Sequence, residues 1–301
     1  MKQSIYPFLV IFISCISTSC KKDIQPVLPD NGTSAKVNYY TNSDVLLRYN
    51  LGAVNIFVDS AISPYPDYSR PVFDFQAATK TFEFPTIFGN TGVPVYGNYA
   101  AGQHHFLFNY MLYDSKYNKL MYSAPFADIS MGLNNNSETL FYLIDAPVKT
   151  ENANALFNLI SLSTNRPLVT DSNTVAITIL QQGPDIGPIT CSQVKKDGSL
   201  TTDNLPQNLN YGQNSGQLLL NVKDASNGII GLNFYDKITG KQLIVAGVPA
   251  NGGHAYILSI QGFQQDHSFK LPSKVNDADS TVVFTNTTVT ANLRSTIRQI
   301  W

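Results

Sequence analysis

Short runs of apolar residues, separated by Gly, Pro, Asn and Asp, recur along this chain from about residue 35 onward. In several runs the apolar residues fall at every second position, as at Val54, Ile56 and Val58, which is typical of a strand with one face in a core. No stretch shows a sustained helical period, so the pattern predicts an all-β protein built from antiparallel β-sandwiches. The predicted strands are 37–40, 53–58, 81–84, 105–112, 119–122, 139–144, 175–180, 217–222, 229–235, 242–245, 255–260 and 281–284.

The order of these features repeats within the chain. A strand, a Tyr-Gly step, a Gly turn, a second strand, a polar turn and an aromatic strand follow one another twice. The first series occupies 35–40, 96–99, 101–109 and 134–143, and the second 175–180, 211–214, 227–235 and 250–258. The repeat therefore predicts two tandem sandwich domains, at 35–170 and 171–301.

The N-terminus has the pattern of a secretory leader. Lys2 precedes an apolar run at 6–16, which is too short to span a membrane as a stable helix, and small residues follow up to Cys20. Small residues before a cysteine and a polar chain after it resemble the lipobox of bacterial lipoproteins, in the form typical of Bacteroidota. The resemblance implies a signal peptide at 1–19, a lipid on the Cys20 thiol and anchoring in the outer membrane. The Pro- and Gly-containing segment 20–34 is then a flexible tether.

Two turns carry a second resemblance. Segment 182–188, with Pro184 and Asp185, and the shorter segment 41–44 each follow the first strand of a repeat. Together with the aromatic-Gly steps they resemble a family of bacterial envelope modules, the domain of unknown function four-three-nine-seven. The resemblance implies an immunoglobulin-like fold for both sandwiches and a place at the cell envelope, and it carries over no catalytic residues.

The charge and cysteine content of the chain limit the binding partners and the covalent cross-links that can be expected. Charged residues are 14% of the chain and the net charge is −1, so nothing indicates nucleic-acid binding. Of the three cysteines only Cys191 lies beyond the leader and its lipobox, which leaves no disulfide within the sandwiches. We expect Cys191 to be a buried or loop cysteine rather than a nucleophile, since no His accompanies it in a recognisable pattern.

An insertion at 60–94 distinguishes the first repeat from the second. It is dense in aromatic and proline residues, and aromatic rings on an ordered loop suit the face of a sugar or a flat partner. The alternative is that the rings pack beneath the loop itself. The candidate binding residues are Tyr65, Tyr68, Phe73 and Phe75.

Catalytic, metal and cofactor patterns are weak. His104 and His105 are adjacent on a predicted strand and so point to opposite faces, which excludes a shared metal ion. His254 and His267 are expected to be structural, and the acidic segment 276–280 is expected to be a solvated turn rather than a calcium loop. Neither cofactor nor catalytic residue is predicted. The glutamates, none of which recurs across the repeats as a pair for glycoside chemistry would, are Glu83, Glu138 and Glu151.

The C-terminal segment 269–301 fits neither repeat. It contains predicted strands at 281–284 and 289–293 and ends at the sole tryptophan, Trp301. It could complete the second sandwich, cover a sheet edge or present Trp301 to a partner, and we favour completion of an edge.

These features favour a non-enzymatic surface module, anchored through a lipid on Cys20, that binds a glycan, a peptide or an envelope protein. One alternative is an envelope hydrolase acting on polysaccharide or peptide. The other is a purely structural spacer.

Overall fold

The computed structural model of the chain describes residues 34–49, 53–59, 97–114, 119–147, 156–165, 171–275 and 281–300. The predicted leader, the predicted tether up to residue 33 and Trp301 lie outside this range, as do the insertion, its predicted strand 81–84 and the acidic segment 276–280. Most of the described chain is strand, so the predicted all-β sandwich fold is confirmed.

The described part of the first repeat contains seven strands and one short helix. The helix α1 (Asp44–Tyr49) lies between the first two strands. The strands are β1 (Ala35–Thr41), β2 (Ala53–Val58), β3 (Gly97–Tyr99), β4 (Gly102–Asp114), β5 (Lys119–Leu133), β6 (Ser137–Asp145) and β7 (Phe157–Asn165).

The second repeat and the C-terminal segment contain, over residues 171–275 and 281–300, ten strands and a 3₁₀ turn, Val222–Asp224. The strands are β8 (Thr174–Gln181), β9 (Ile189–Val194), β10 (Leu200–Thr201), β11 (Asn214–Asn221), β12 (Ile229–Asp236), β13 (Gln242–Pro249), β14 (Ala255–Gln261), β15 (His267–Val275), β16 (Val282–Val289) and β17 (Arg294–Gln299).

Each repeat forms two sheets, and the sheets have matching strand orders. The first inner sheet runs β3-β1-β6-β7 and the second inner sheet β11-β8-β14-β17. The first outer sheet runs β2-β4-β5 and the second β9-β12-β13, to which β10 adds at the edge of β9. The repeat detected in the sequence is therefore a repeat of topology.

The prediction of purely antiparallel sheets needs one correction. The two central strands of each inner sheet, β1 with β6 and β8 with β14, are parallel. The two strands of each pair are joined by a long connection that passes through the outer sheet. Parallel strands require such a crossover, because a short hairpin cannot join them. All other neighbouring strands of these sheets are antiparallel.

Three apolar clusters hold the sheets together. One fills the first sandwich around Phe106 and Phe141, and one fills the second around Leu232 and Phe234. The third lies between the two inner sheets, where Leu140 and other residues of the first repeat pack against residues of the second repeat. Because both faces of the inner sheets are covered, every residue of β6 and of β14 is buried. The molecule is thus a stack of four β-layers, outer, inner, inner and outer.

The two inner sheets meet across a pseudo-two-fold axis. The amide of Asn42 donates to the carbonyl of Leu143 at 2.7 Å, and the amide of Gln182 donates to that of Ile260 at 2.7 Å, so these pairs are structurally equivalent. The equivalent residues also bond to each other, since Asn42 Nδ2 donates to Gln182 Oε1 at 2.8 Å. A contact between equivalent positions is the signature of an isologous interface.

Several elements were not predicted. Helix α1 has only six residues, too few for a helical period to show in the sequence. Strands β7, β9, β15 and β17 were missed because Ser, Thr, Gln, Lys or Arg interrupt their apolar pattern. The predicted strand 289–293 was wrong. Val289 ends β16, and the amides of Asn292 and Leu293 both donate to the carbonyl of Phe263, which turns the chain.

The C-terminal segment serves both repeats. Strand β17 pairs with β14 at an edge of the second inner sheet, which agrees with the favoured role of edge completion. The preceding hairpin, β15 with β16, has no counterpart among the described strands of the first repeat. Its residues Phe269, Leu271 and Val289 belong to the apolar cluster of the first sandwich.

The third cluster should carry a large share of the stability. Leu140 is 1% exposed within it, so Leu140→Ala should lower the free energy of unfolding by about 2–4 kcal/mol, through lost burial and the cavity left behind. Leu219→Ala is the control, because Leu219 is 61% exposed and its loss should cost under about 0.5 kcal/mol. Urea denaturation measures both, and equal losses would contradict the interface.

Candidate functional site

The predicted lipidation and ligand-binding residues lie outside the described part of the chain. Cys20, Tyr65, Tyr68, Phe73 and Phe75 therefore remain predictions. The described strands next to the insertion are β2, which ends at Val58, and β3, which begins at Gly97. These strands belong to different sheets of the first sandwich, so the insertion connects its outer layer to its inner layer.

A His–Asp cluster lies beside the start of the insertion. His104 Nδ1 is 2.8 Å from Oδ2 of Asp59, and its Nε2 is 2.8 Å from the carbonyl of Ala100. His105 donates its amide to Asp59 at 3.0 Å and directs its ring to Asp128. The two rings thus take different partners, as the alternation of a strand requires.

These contacts favour a charged Asp59. Burial acts to raise the pKa of Asp59, but the bonds from the His105 amide and the His104 ring outweigh it and hold the pKa below its ordinary value. Across the described ranges, no three His, Cys, Asp or Glu side chains are grouped as metal ligands would be. The cluster is an anchor for the turn at Asp59, whose φ of 58° is in the left-handed region.

A buried carboxylate organises the start of α1. Ser43 caps the helix by accepting a bond from the amide of Leu46 at 3.0 Å, and its hydroxyl donates to Asp145. Asp145 also accepts from the amides of Asp44 at 2.8 Å and Val45 at 3.2 Å. Burial is the largest influence on Asp145, and with the neighbouring Asp44 it raises the pKa to about 7 despite the bond from Ser43.

The same turn links the repeats electrostatically. Both carboxylate oxygens of Asp44 accept from the guanidinium of Arg294, at 2.8 and 2.9 Å. Asp44 is fully buried in the first repeat and Arg294 begins β17 in the second. A two-pronged contact of this kind fixes orientation as well as distance.

The corresponding turn of the second repeat also holds the C-terminal segment. Asp185 accepts from the amides of Gln264 at 2.8 Å and Gln265 at 2.9 Å, and lies 2.9 Å from Nε2 of His267. His267 is therefore a structural partner of Asp185. His254 is likewise engaged, because its Nδ1 lies 2.9 Å from Nε2 of Gln299.

The remaining described candidates lie on buried strands or in turns. Cys191 is buried on β9, one of the two placements expected for it, and burial raises the pKa of its thiol to about 12. Of the three glutamates only Glu138 is described, and it is 2% exposed on β6. The turns at Asp171 and Asp197 are held by side-chain bonds to the amides two residues on.

A cavity of about 470 Å³, which the sequence did not predict, lies at one side of the interface between the inner sheets. It is bordered by β7 of the first repeat and by β8, β11 and β14 of the second. The signal was present in Ala176 and Ala255, which are small residues within otherwise bulky, buried strands. These two residues indicate a cavity only once it is known that the two inner sheets pack against each other.

Comparisons with known proteins do not assign the chain. No family model matches it, and no curated protein matches it. Two solved structures, each provisionally described as a cell adhesion protein, are aligned with most of its length. The protein from Bacteroides fragilis is 11% identical, with 87% of this chain and 98% of that chain covered and a TM-score of 0.18. The protein from Bacteroides uniformis is 10% identical, with 89% and 99% covered and a TM-score of 0.18. A TM-score of 0.18 is too low to show a shared fold, so these alignments assign neither a family nor a function.

The part of the chain that the structure describes contains no helix with the length and apolar character needed to cross a membrane.

Asp145 should make stability depend on pH. Its folded pKa of about 7 exceeds the ordinary 3.8, so protonation favours folding. This stability is fully present below pH 4 and is lost as the pH rises through 7, by about 4 kcal/mol at most. The Asp145→Asn variant has no titratable group at this position, so its free energy of unfolding should decline less than that of the parent chain over that pH range. Denaturation at pH 4, 5.5 and 7.5 measures the difference, and parallel profiles would contradict it.

Proposed function

We propose that this chain is a non-enzymatic binding or adhesion module held at the cell envelope by a lipid on Cys20. The observation that carries the proposal is the fused four-layer stack. An apolar interface, a cation–π contact and a partly buried ion pair join the two sandwiches. Large apolar interfaces suppress relative motion of domains, so loops on either repeat have fixed positions relative to one another.

The four-layer stack also gives the N-terminal segments and the insertion their proposed roles. The leader 1–19 directs the chain to export, Cys20 takes the lipid, and the tether 20–34 gives the stack reach from the outer membrane. The insertion 60–94 presents Tyr65, Tyr68, Phe73 and Phe75 to the face of a glycan or to an envelope partner. Loops on a rigid scaffold are the usual carriers of binding. Membership of the envelope family that the turns resemble is part of the same proposal.

The lipid anchor has a direct test. Cys20→Ala removes the only thiol at the predicted processing site. The variant should move from the membrane fraction to the soluble fraction and keep the circular dichroism spectrum of the mature sandwiches. Cys191→Ala is the matched control and should stay with the membrane. Retention of Cys20→Ala in the membrane would exclude a lipid anchor, and loss of its folding would show that the segment supports the fold.

The insertion has its own test. The soluble Cys20→Ala chain should bind on a glycan array or capture a partner from the cell envelope. The double variant Tyr65→Ala/Tyr68→Ala should bind at least about tenfold more weakly, since each stacked ring contributes roughly 1 kcal/mol. Phe284→Ala, which removes a 40% exposed ring on β16, is the control and should bind normally.

Equal binding by the double variant and the parent chain would remove the insertion from the binding surface. Turnover of a polysaccharide or peptide by the parent chain would favour a hydrolase instead.

A further inference from the structure

Strand β13 forms a free edge of the second outer sheet. It pairs with β12 on one side, and no backbone hydrogen bond from the described residues reaches its other side. The strand contains no charged residue, and Val245 near its centre is 57% exposed. An apolar edge of this kind is a template on which another strand can add.

Other described edge strands carry features that discourage such pairing. Strands β3 and β10 have only three and two residues. Strand β11 contains a register shift between Asn214 and Gln217, and β17 carries Arg294 and Arg298. Short length, irregularity and charge are the usual protection of sheet edges, and segment 244–248 of β13 has none of the three.

The backbone of β13 shows which groups face the free edge. In an antiparallel ladder, alternate residues direct both their N–H and their C=O toward one neighbour. The amide of Ala250 donates to the carbonyl of Gly228 at 2.8 Å, which sets the phase of the ladder. Ala246 therefore bonds to β12, whereas Val245 and Gly247 direct their backbone groups away from β12 and toward the edge.

Two features limit the part of β13 that can pair. Leu243 has no partner residue in the ladder with β12, so the strand bulges at that position. At the other end Pro249 has no N–H to donate. The regular stretch with all of its bonding groups is thus 244–248, and its central residue is Ala246.

This stretch is complementary to itself in the antiparallel orientation. With Ala246 opposite Ala246 of a second copy, Val245 of each copy lies opposite Gly247 of the other, and each such pair can exchange both of its backbone hydrogen bonds. Gly247 has no side chain, and the Cγ2 of Ile229 lies 2.7 Å from the position that a Cβ on Gly247 would take. The valine of the second copy therefore meets Ile229, which is 43% exposed.

Charge also favours a second copy as the partner. Because β13 is uncharged, a charged strand would lose hydration along it without gaining a counter-charge, whereas a second β13 is equally uncharged. Lys241, which precedes the strand, lies at opposite ends of the pair in the two copies. The two Lys241 residues are then about 34 Å apart along the strands, well beyond the Debye length of about 8 Å.

We propose that β13 is a dimer interface, in which β13 of two copies of this chain pair antiparallel about a two-fold axis at Ala246. The contact joins the two second outer sheets into one continuous sheet. It also uses up the free edge of both copies, so that the assembly closes at two chains. The proposal goes beyond the proposed binding role, because the pairing needs neither the lipid nor the insertion.

The test is sedimentation velocity of the full-length chain in detergent, from about 1 to 200 µM. We expect a shift from one to two chains per particle with a dissociation constant on the order of 10 µM, because the contact is small. Val245→Lys places the two introduced lysines on a diagonal of about 7–8 Å, where they repel. The variant should dimerise at least about tenfold more weakly and keep the urea midpoint of the parent.

A charge-rescue experiment checks the two-fold geometry. Val245→Glu alone should also dimerise weakly, but an equal mixture of Val245→Lys and Val245→Glu should associate roughly fivefold more tightly than either variant alone, since opposite charges then meet. Leu219→Lys is the matched control. Leu219 is a 61% exposed residue of the irregular edge strand β11, so this variant should dimerise like the parent.

A parent chain that stays monomeric at every concentration would overturn the proposal. Equal dimerisation by Val245→Lys and the parent, or a mixture that associates no better than its separate components, would overturn it as well. If the parent is monomeric but captures an envelope protein that Val245→Lys does not capture, the partner of β13 is that protein and not a second copy.

Discussion

The burial of both faces of the inner sheets is the constraint on which the rest of the structure depends. A β-sandwich needs only one covered face per sheet, but here nearly every residue of β1, β6, β8 and β14 is buried, on both faces. Neither inner sheet can meet water on its second face without exposing side chains such as Leu140 and Ile257. The two sandwiches are therefore halves of one folded unit, and that unit supplies the fixed geometry on which the proposed binding role relies.

Polar contacts add specificity to this apolar interface. Apolar sheets alone could pack in several registers, whereas Asn42 bonds to Gln182 on the axis and Asp44 bonds to Arg294 beside it. Tyr211 of the second repeat adds a bond from its hydroxyl to the carbonyl of Asp145 at 2.7 Å. Each contact joins the two repeats at a distinct place, so a shift in register would leave buried polar groups without partners.

The sequence predicted the strands whose pattern is apolar and the repeat that relates them. The repeat was visible because Tyr211-Gly212 and Asn227-Gly228 occupy the same places in the order of features as their counterparts in the first copy. Strands such as β7 and β17 were not predictable, because pairing with β6 and β14 makes them strands despite their Ser, Thr and Arg residues. The cavity was not predictable either. It depends on which residues face one another across the axis, and the sequence does not show the axis.

The hairpin of β15 and β16 has a consequence for how the chain folds. Its residues Phe269, Leu271 and Val289 complete the core of the first sandwich, although they are encoded more than a hundred residues after it. The core of the first sandwich is therefore completed by contacts between residues that lie far apart in the sequence. Contacts of this kind slow folding, because the chain loses loop-closure entropy before they can form.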